Sequence, residues 1–283
     1  MDYLPRAFYD DVFGQLEKKD IGTAQELKGA FGRVAADHYG KRRELGMYVA
    51  PTIKTKLCTI QLLKIVRPVE IIPVPLSNLN SNDDRITHIF LSQCLEGETM
   101  SFNEALTKIF LALHIAPNSG LLIFDRIPDS TVFMNPFFKL LGRSHSFKSV
   151  ITPNCGEECE GFVRKQLKSV HLEELWLHNK SWPADFQSLV ASWTENPNFR
   201  RLHSDSKDIM LDYETAVSLL KRWANGELKK LAVDADISFK KEHLYAYLQN
   251  LGCTSNGSMF KLSQRRDLEV EFRDDRMFLD IRE

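Results

Sequence analysis

Leu172-Glu173-Glu174-Leu175-Trp176-Leu177 is the stretch on which the fold class turns, because its pattern returns twice downstream. Phe199-Arg200-Arg201-Leu202-His203-Ser204 and Leu228-Lys229-Lys230-Leu231-Ala232-Val233 repeat it, so that Leu175, Leu202 and Leu231 mark a nearly constant period. Periods of roughly 20 to 50 residues mark arrays of one supersecondary unit. Each segment leads into a helical pattern. Phe186, Leu189, Val190 and Trp193 share one face, and Ala216, Leu219, Leu220 and Trp223 restate that face one period later. Asn196 and Gly226 stand near the helix ends, where left-handed residues are favoured. One strand-helix unit cannot bury its own apolar face, so units stack and share a core. Ser204 occupies a position where the pattern calls for an apolar residue, which makes the repeats degenerate.

Upstream, Phe147 to Thr152 fits the same scheme, and Gly120 to Phe124 and Ile86 to Leu91 read as weaker units. Downstream, Phe239 to Leu251 supplies a closing helix. Residues 258–283 then read as three short strands, Met259 to Leu262, Leu268 to Phe272 and Met277 to Ile281, separated by the charged turns Gln264-Arg265-Arg266-Asp267 and Arg273-Asp274-Asp275-Arg276. Their alternation of apolar and charged residues suits an antiparallel meander with one face buried. The expected architecture is therefore α/β: a short N-terminal helical module (residues 1–45), an extended connector (46–84), and an irregular leucine-rich-repeat-like solenoid of strands and helices (85–283) that ends in the meander. An ordinary α/β domain of alternating strands and helices is the competing reading.

In the N-terminal module, Pro5 suits a first helical turn, and Phe8, Tyr9, Val12, Phe13 and Leu16 follow on one face. Thr23 and Glu26 have capping-box spacing ahead of Leu27, Ala30, Phe31, Val34, Ala35 and His38, so the first forty residues read as a helical hairpin. Gly29 and Gly32 weaken that second helix but permit close packing. Met47 to Leu76 changes to β-branched residues with interspersed prolines, and Ser77 to Asp84 is the most loop-like stretch of the chain.

Lysine plus arginine (37) nearly balances aspartate plus glutamate (38), so no overall field draws the chain to nucleic acid or an anionic membrane. The basic pairs Lys229-Lys230, Lys240-Lys241 and Arg265-Arg266 are scattered among acids and read as solvated faces. No apolar run approaches the roughly 20 residues of a membrane span; Ile109 to Ala116 is the longest. The acidic opening argues against a secretory signal, five dispersed cysteines suit reduced thiols, and the sequons Asn179-Lys180-Ser181 and Asn256-Gly257-Ser258 read as accidental. Together these imply an intracellular protein, cytoplasmic or nuclear.

No motif supplies catalysis. Cys155-Gly156-Glu157-Glu158-Cys159 lacks a second ligand pair for structural zinc. His203-Ser204-Asp205 spells triad residues, but neighbours on a strand point to opposite faces. The expectation is no catalytic residue, no metal and no cofactor.

The strands themselves offer a surface. If Leu175 and Leu177 point inward, Glu174, Trp176 and His178 point outward, and stacking places Arg201, His203 and Asp205 beside them, then Lys230, Ala232 and Asp234. One ladder would run Glu174, Arg201, Lys230 and the other Trp176, His203, Ala232. An exposed tryptophan among charges suits a binding hot spot, with packing beneath a loop as the alternative. Glu174, Trp176, His178, Arg201, His203 and Lys230 are the candidate substrate-binding residues.

Leu4-Pro5 followed by Val12 and Leu16, then Lys19-Asp20-Ile21, then a helix carrying Leu27, Phe31 and Val34 and ending at Lys41-Arg42-Arg43, resembles an F-box. The whole arrangement resembles the nematode-expanded proteins that join an F-box-like start to an F-box-associated or degenerate leucine-rich C-terminal region. That resemblance implies a non-catalytic adaptor of a Skp1-cullin-type ubiquitin ligase. It would bind a Skp1-like protein through Leu4, Pro5, Phe8, Val12, Leu16, Leu27 and Phe31 and present a protein substrate on its repeats. The alternative is a stand-alone repeat-type recognition protein whose N-terminal helices only cap the solenoid.

Overall fold

The computed structural model describes residues 4–16, 18–52, 54–67, 70–80, 83–91, 97–109, 115–123, 131–144, 146–178, 181–228, 230–256, 259–261 and 268–281. Asn179 and Lys180 of the first sequon, Gly257 and Ser258 of the second, Phe124, Lys229, Leu262 and the expected turn Gln264 to Asp267 lie outside them. The chain forms two compact units, Met1–Phe147 and Lys148–Glu283. Among the described residues, no helix is long and apolar enough to cross a membrane.

The first unit opens with three helices, α1 (Arg6–Gln15), α2 (Lys18–Ala24) and α3 (Ala30–Lys41), where a hairpin of two was expected. The reason is local. Thr23 does not cap a helix; it lies inside α2, and its hydroxyl donates back to the Lys19 carbonyl at 3.3 Å. Gly29 is the residue before α3, and its φ of 89° reverses the chain where residues with a Cβ are strained. Gly32 is required for a second reason: a Cβ there would stand 1.7 Å from the Leu27 carbonyl oxygen. The helices close around Tyr9, Phe13, Ile21 and Ala35. Buried Arg42 then donates to the carbonyls of Phe13 (2.6 Å) and Leu16, satisfying acceptors that the end of α1 leaves open. Its neighbour Arg43 pairs with buried Asp84 at 2.6 Å.

The expected connector is sheet. β1 (Arg43–Thr52), β2 (Leu57–Arg67) and β3 (Glu70–Val74) run antiparallel in turn. β4 (Asp84–Leu91) adds in parallel to β1, β5 (Glu98–Ser101) adds antiparallel to β2, and β6 (Ile115–Ile123) adds in parallel to β4. Helix α4 (Thr131–Ser144) contributes buried Phe133, Phe137, Phe138 and Leu141.

The second unit alternates β7 (Ser149–Pro153), α5 (Glu157–Leu167), β8 (Glu174–His178), α6 (Asp185–Thr194), β9 (Arg201–Ser204), α7 (Tyr213–Ala224), β10 (Ala232–Asp236) and α8 (Lys241–Asn250). Strands β7 to β10 are parallel neighbours. β11 (Thr254–Asn256), β12 (Met259–Lys261), β13 (Leu268–Arg273) and β14 (Arg276–Ile281) form an antiparallel meander whose last strand pairs with β10. Leu175, Leu177, Leu202, Val233 and Ala235 point into the core with Leu279 and Val270, against the faces bearing Phe186, Trp193, Leu220 and Trp223. Trp193 Nε1 donates to the Leu172 carbonyl at 3.1 Å, so one turn of the recurrent pattern is tied to the strand before it. Asp212 caps α7 by accepting from Thr215 N–H at 2.7 Å, and Gly226 follows that helix at φ 77°.

The α/β class holds, but residues 85–283 do not form a leucine-rich-repeat-like solenoid. A solenoid needs one neighbour relation to persist from unit to unit. Here β4 and β6 belong to a mixed sheet built on the antiparallel pair β1 and β2, and the parallel run β7 to β10 passes into antiparallel β14. Hairpin strands can satisfy an open sheet edge as well as another repeat can, and the leucine spacing is blind to that choice.

Candidate functional site

Two surfaces carry the residues singled out from the sequence, one in each unit. On α1 the apolar residues divide into two stripes. Tyr9 and Phe13 are buried, with Leu16 packed beside them, whereas Phe8 is 47% exposed and half-buried Val12 follows it four residues on; Leu4, 42% exposed, lies ahead of the helix, before extended Pro5. Pro5 precedes the helix and is exposed. Leu27, in the turn after α2, is 57% exposed. Phe31 faces the other way, its ring centroid 4.8 Å from that of Phe13 and 5.7 Å from that of Tyr9. Of the residues assigned to a Skp1-like partner, Leu16 and Phe31 thus hold the bundle together. Leu4, Pro5, Phe8 and Leu27 are the ones open to solvent. Arg42 and Arg43 of the basic helix end are structural, one capping α1 and the other paired with Asp84.

The second surface is the outward face of β8, β9, β10 and β14. The register places Glu174 beside Arg201 and Trp176 beside His203, as the spacing of Leu175 and Leu202 requires. On the next strand it departs from expectation. Arg201 neighbours Ala232, not Lys230, and His203 neighbours Asp234, not Ala232, so the ladders run Glu174, Arg201, Ala232 and Trp176, His203, Asp234. The central-leucine match aligned Leu231 with Leu202, but Leu231 precedes the strand and the inward partner of Leu202 is Val233. Lys230 is accordingly exposed outside the ladder. It joins Lys148, Glu173, Glu174, Arg200 and Arg201 around a charged cleft of about 300 Å³.

β14 completes the face: Asp280 lies beside Ala232, Phe278 beside Asp234 and Arg276 beside Asp236. Trp176 is half-buried, not exposed, with its ring 4.8 Å from His203 and its Nε1 unpartnered. A groove of about 220 Å³ lies between Trp176, His203, Asp234 and Phe278. At the strand ends, His178 Nδ1 is 3.1 Å from Asp205 Oδ2, His203 Nε2 is 3.0 Å from Asp205 Oδ1, and His203 Nδ1 is 2.8 Å from Asp234 Oδ2. Arg276 joins the same carboxylates. Its Nη2 lies 3.0 Å from Asp205, its Nε contacts Asp234, and its Nη1 donates to the Ser204 carbonyl at 2.9 Å. Burial opposes ionisation of Asp205, yet the hydrogen bond from His178 and the adjacent His203 and Arg276 hold its carboxyl below the ordinary range. Burial likewise opposes the charge on Arg276, which Asp234, Asp205 and Asp236 more than restore.

Ser204 points into the core between outward His203 and Asp205 and exchanges hydrogen bonds with the Ser206 backbone, so the three do not form a triad. Cys155 and Cys159 are not joined in a disulfide; burial pushes the Cys159 thiol well up. Arg276, Asp236 and Phe278 were not singled out from the sequence. The available signal was the arginine at the start of the last meander strand, once that strand is allowed to pair with β10.

No known family model matches the chain, and no curated protein matches it. Two solved structures show a likeness, both of the methyltransferase MycE from the mycinamycin biosynthetic pathway. The one in complex with Mg, SAH and mycinamycin VI is 11% identical, covers 98% of this chain and 93% of that chain, and has a TM-score of 0.25. The one in complex with Mg and SAH is also 11% identical, with coverages of 98% and 92% and a TM-score of 0.24. At those TM-scores the likeness carries no inference about this chain's fold or chemistry.

Proposed function

We propose that this chain is a recognition protein, not a catalyst, and that it acts as a substrate adaptor of the Skp1-cullin type. The observation that carries this reading is the second apolar stripe of α1. Leu4 and Phe8, with Val12 behind them, are left in water by a bundle that already has a complete core in Tyr9, Phe13, Ile21 and Ala35. An amphipathic helix that serves only to pack its own bundle needs one stripe. A second apolar line, Phe8 and Val12 at i and i+4 with Leu4 exposed just ahead of the helix, has the form of a surface that docks in a partner's groove. The F-box-like order of Leu4-Pro5, α1 and the later helix names the class of partner, a Skp1-like protein. The substrate would be read by the Trp176 face, where a tryptophan, two histidines and an arginine lie among carboxylates; aromatic residues and arginine dominate binding energy at protein interfaces.

The test is binding of the full chain to a purified Skp1-like protein by calorimetry. Micromolar or tighter binding is expected, weakened about tenfold or more by Leu4→Asp with Phe8→Asp, since each tenfold corresponds to about 1.4 kcal/mol. Absence of binding with both proteins folded and at micromolar concentration rejects the adaptor reading. In that case the chain is a stand-alone recognition protein, and its partner should instead be lost on substitution of Trp176.

A further inference from the structure

His203 is flanked by carboxylates at both ring nitrogens, Asp205 at 3.0 Å from Nε2 and Asp234 at 2.8 Å from Nδ1. A neutral imidazole has one N–H and one lone pair. If Nδ1–H donates to Asp234, the Nε2 lone pair faces an oxygen lone pair of Asp205, and the contact becomes favourable either through a second ring proton or through a cation held between the two atoms. His178 Nδ1 approaches the other oxygen of the same carboxylate at 3.1 Å. The donor atoms of His178, His203 and Asp205 all lie within 4.8 Å of one another. We infer that these three residues form a site for a divalent transition metal of the zinc type, with Asp234 as the outer carboxylate that orients His203.

Four features support the assignment. Metal-to-donor distances of about 2.0–2.2 Å in a tetrahedral site place neighbouring donors about 3.3–3.5 Å apart, so only a small closing or opening of the cluster is needed here. A carboxylate on the far nitrogen of a ligating histidine is the usual support of such a ligand, fixing its tautomer and ring angle. Charge also balances. Asp205, Asp234 and Asp236 against Arg276 leave two negative charges, which one divalent cation bound by the two imidazoles as neutral ligands neutralises. Finally, imidazole nitrogen with carboxylate oxygen suits zinc and its first-row neighbours better than calcium or magnesium. With three protein ligands, a fourth position stays open to water or to a donor atom from a bound partner. The sequence concealed the site because the ligands come from the ends of two different strands, with a whole helix between them, and follow no contiguous metal motif.

The experiment uses the full chain, stripped with a chelator and titrated with Co²⁺, followed by displacement with Zn²⁺. Uptake of one equivalent is expected, with visible ligand-field absorption and no thiolate charge-transfer band. His203→Gln should abolish uptake, and Asp234→Asn should weaken it about 10- to 100-fold, the usual effect of removing an outer carboxylate. Circular dichroism establishes that each variant is folded, and His178→Gln replaces His203→Gln if the latter is not. Failure of the folded wild-type chain to bind stoichiometrically overturns the proposal. Uptake that survives both histidine substitutions overturns it, as does a thiolate band, which would assign the metal to cysteine sulfur instead. No partner protein enters the measurement, so its outcome is independent of the adaptor reading.

Discussion

The outer stripe of α1 and the outward face of β8 to β14 present opposite kinds of surface. On α1 and just ahead of it the exposed groups are Phe8 and Leu4, apolar side chains whose stabilisation comes only from leaving water, in proportion to area and with little directional demand. On the sheet, the groups are His178, His203, Asp205, Asp234 and Arg276, each already held by a neighbour at hydrogen-bond distance. The first surface gains by being covered by almost any complementary apolar groove. The second gains only if an incoming group replaces contacts it already has, and therefore discriminates more sharply. The proposed function thus assigns docking and substrate reading to surfaces that differ in chemistry as well as in sequence.

Substitutions can break this contrast at several strengths. The largest effect belongs to the inner stripe: Phe13→Ala should cost about 3–5 kcal/mol in urea unfolding, because its ring fills the bundle core against Phe31. Next, Arg276→Met removes the cation that joins Asp205 and Asp234 and leaves both carboxylates less compensated. About 1–3 kcal/mol of destabilisation is expected by the same measurement. An unchanged midpoint would mean that the network is surface decoration.

A smaller effect concerns pH. Asp205 is held below its ordinary value of 3.8, so its contribution to stability is complete above that value and is lost as pH falls through the lower, folded value. Asp205→Asn should therefore flatten the acid limb of a stability-versus-pH curve below about pH 4, with a lower plateau above it. The smallest effect is diagnostic of the outer stripe. Phe8→Ala should change stability by no more than about 0.5 kcal/mol while weakening partner binding, since its ring is 47% exposed. A loss comparable to that of Phe13→Ala would show that both stripes serve the fold.

Much of the second unit could be read from residues alone, because its periodicity is written in large side chains. Trp193 and Trp223, one period apart, both lie buried on helices that follow a strand, and the spacing of Leu175 and Leu202 placed Trp176 beside His203. The register into β10 was missed because Leu228 and Leu231 mimic the pattern while serving as buried residues before the strand. Sheet topology was legible only in the terminal meander, whose antiparallel pairing the alternation suggested; the joining of β14 to β10 and of β4 to β1 was not, since strands share one inward and outward period whether their neighbours are parallel or antiparallel. Arg276 was invisible for a related reason. It meets Asp205 from 71 residues away, and nothing local records so distant a contact. In the first unit, the positive φ at Gly29 ended what looked like one long helix, a signal present in the glycine but weighed as a cost instead of a stop.

The placement of Arg42 bears on how freely the N-terminal helices could ever have been exchanged between proteins. Its guanidinium closes the end of α1 from a residue that belongs to the approach to β1, and Arg43 beside it is pinned to Asp84 on a different strand. A segment cut after Lys41 would carry all three helices and still leave the Phe13 and Leu16 carbonyls without their donor. The helices are therefore not a detachable cassette: their natural boundary lies inside the sheet, and transplanting them intact means taking β1 and β4 along.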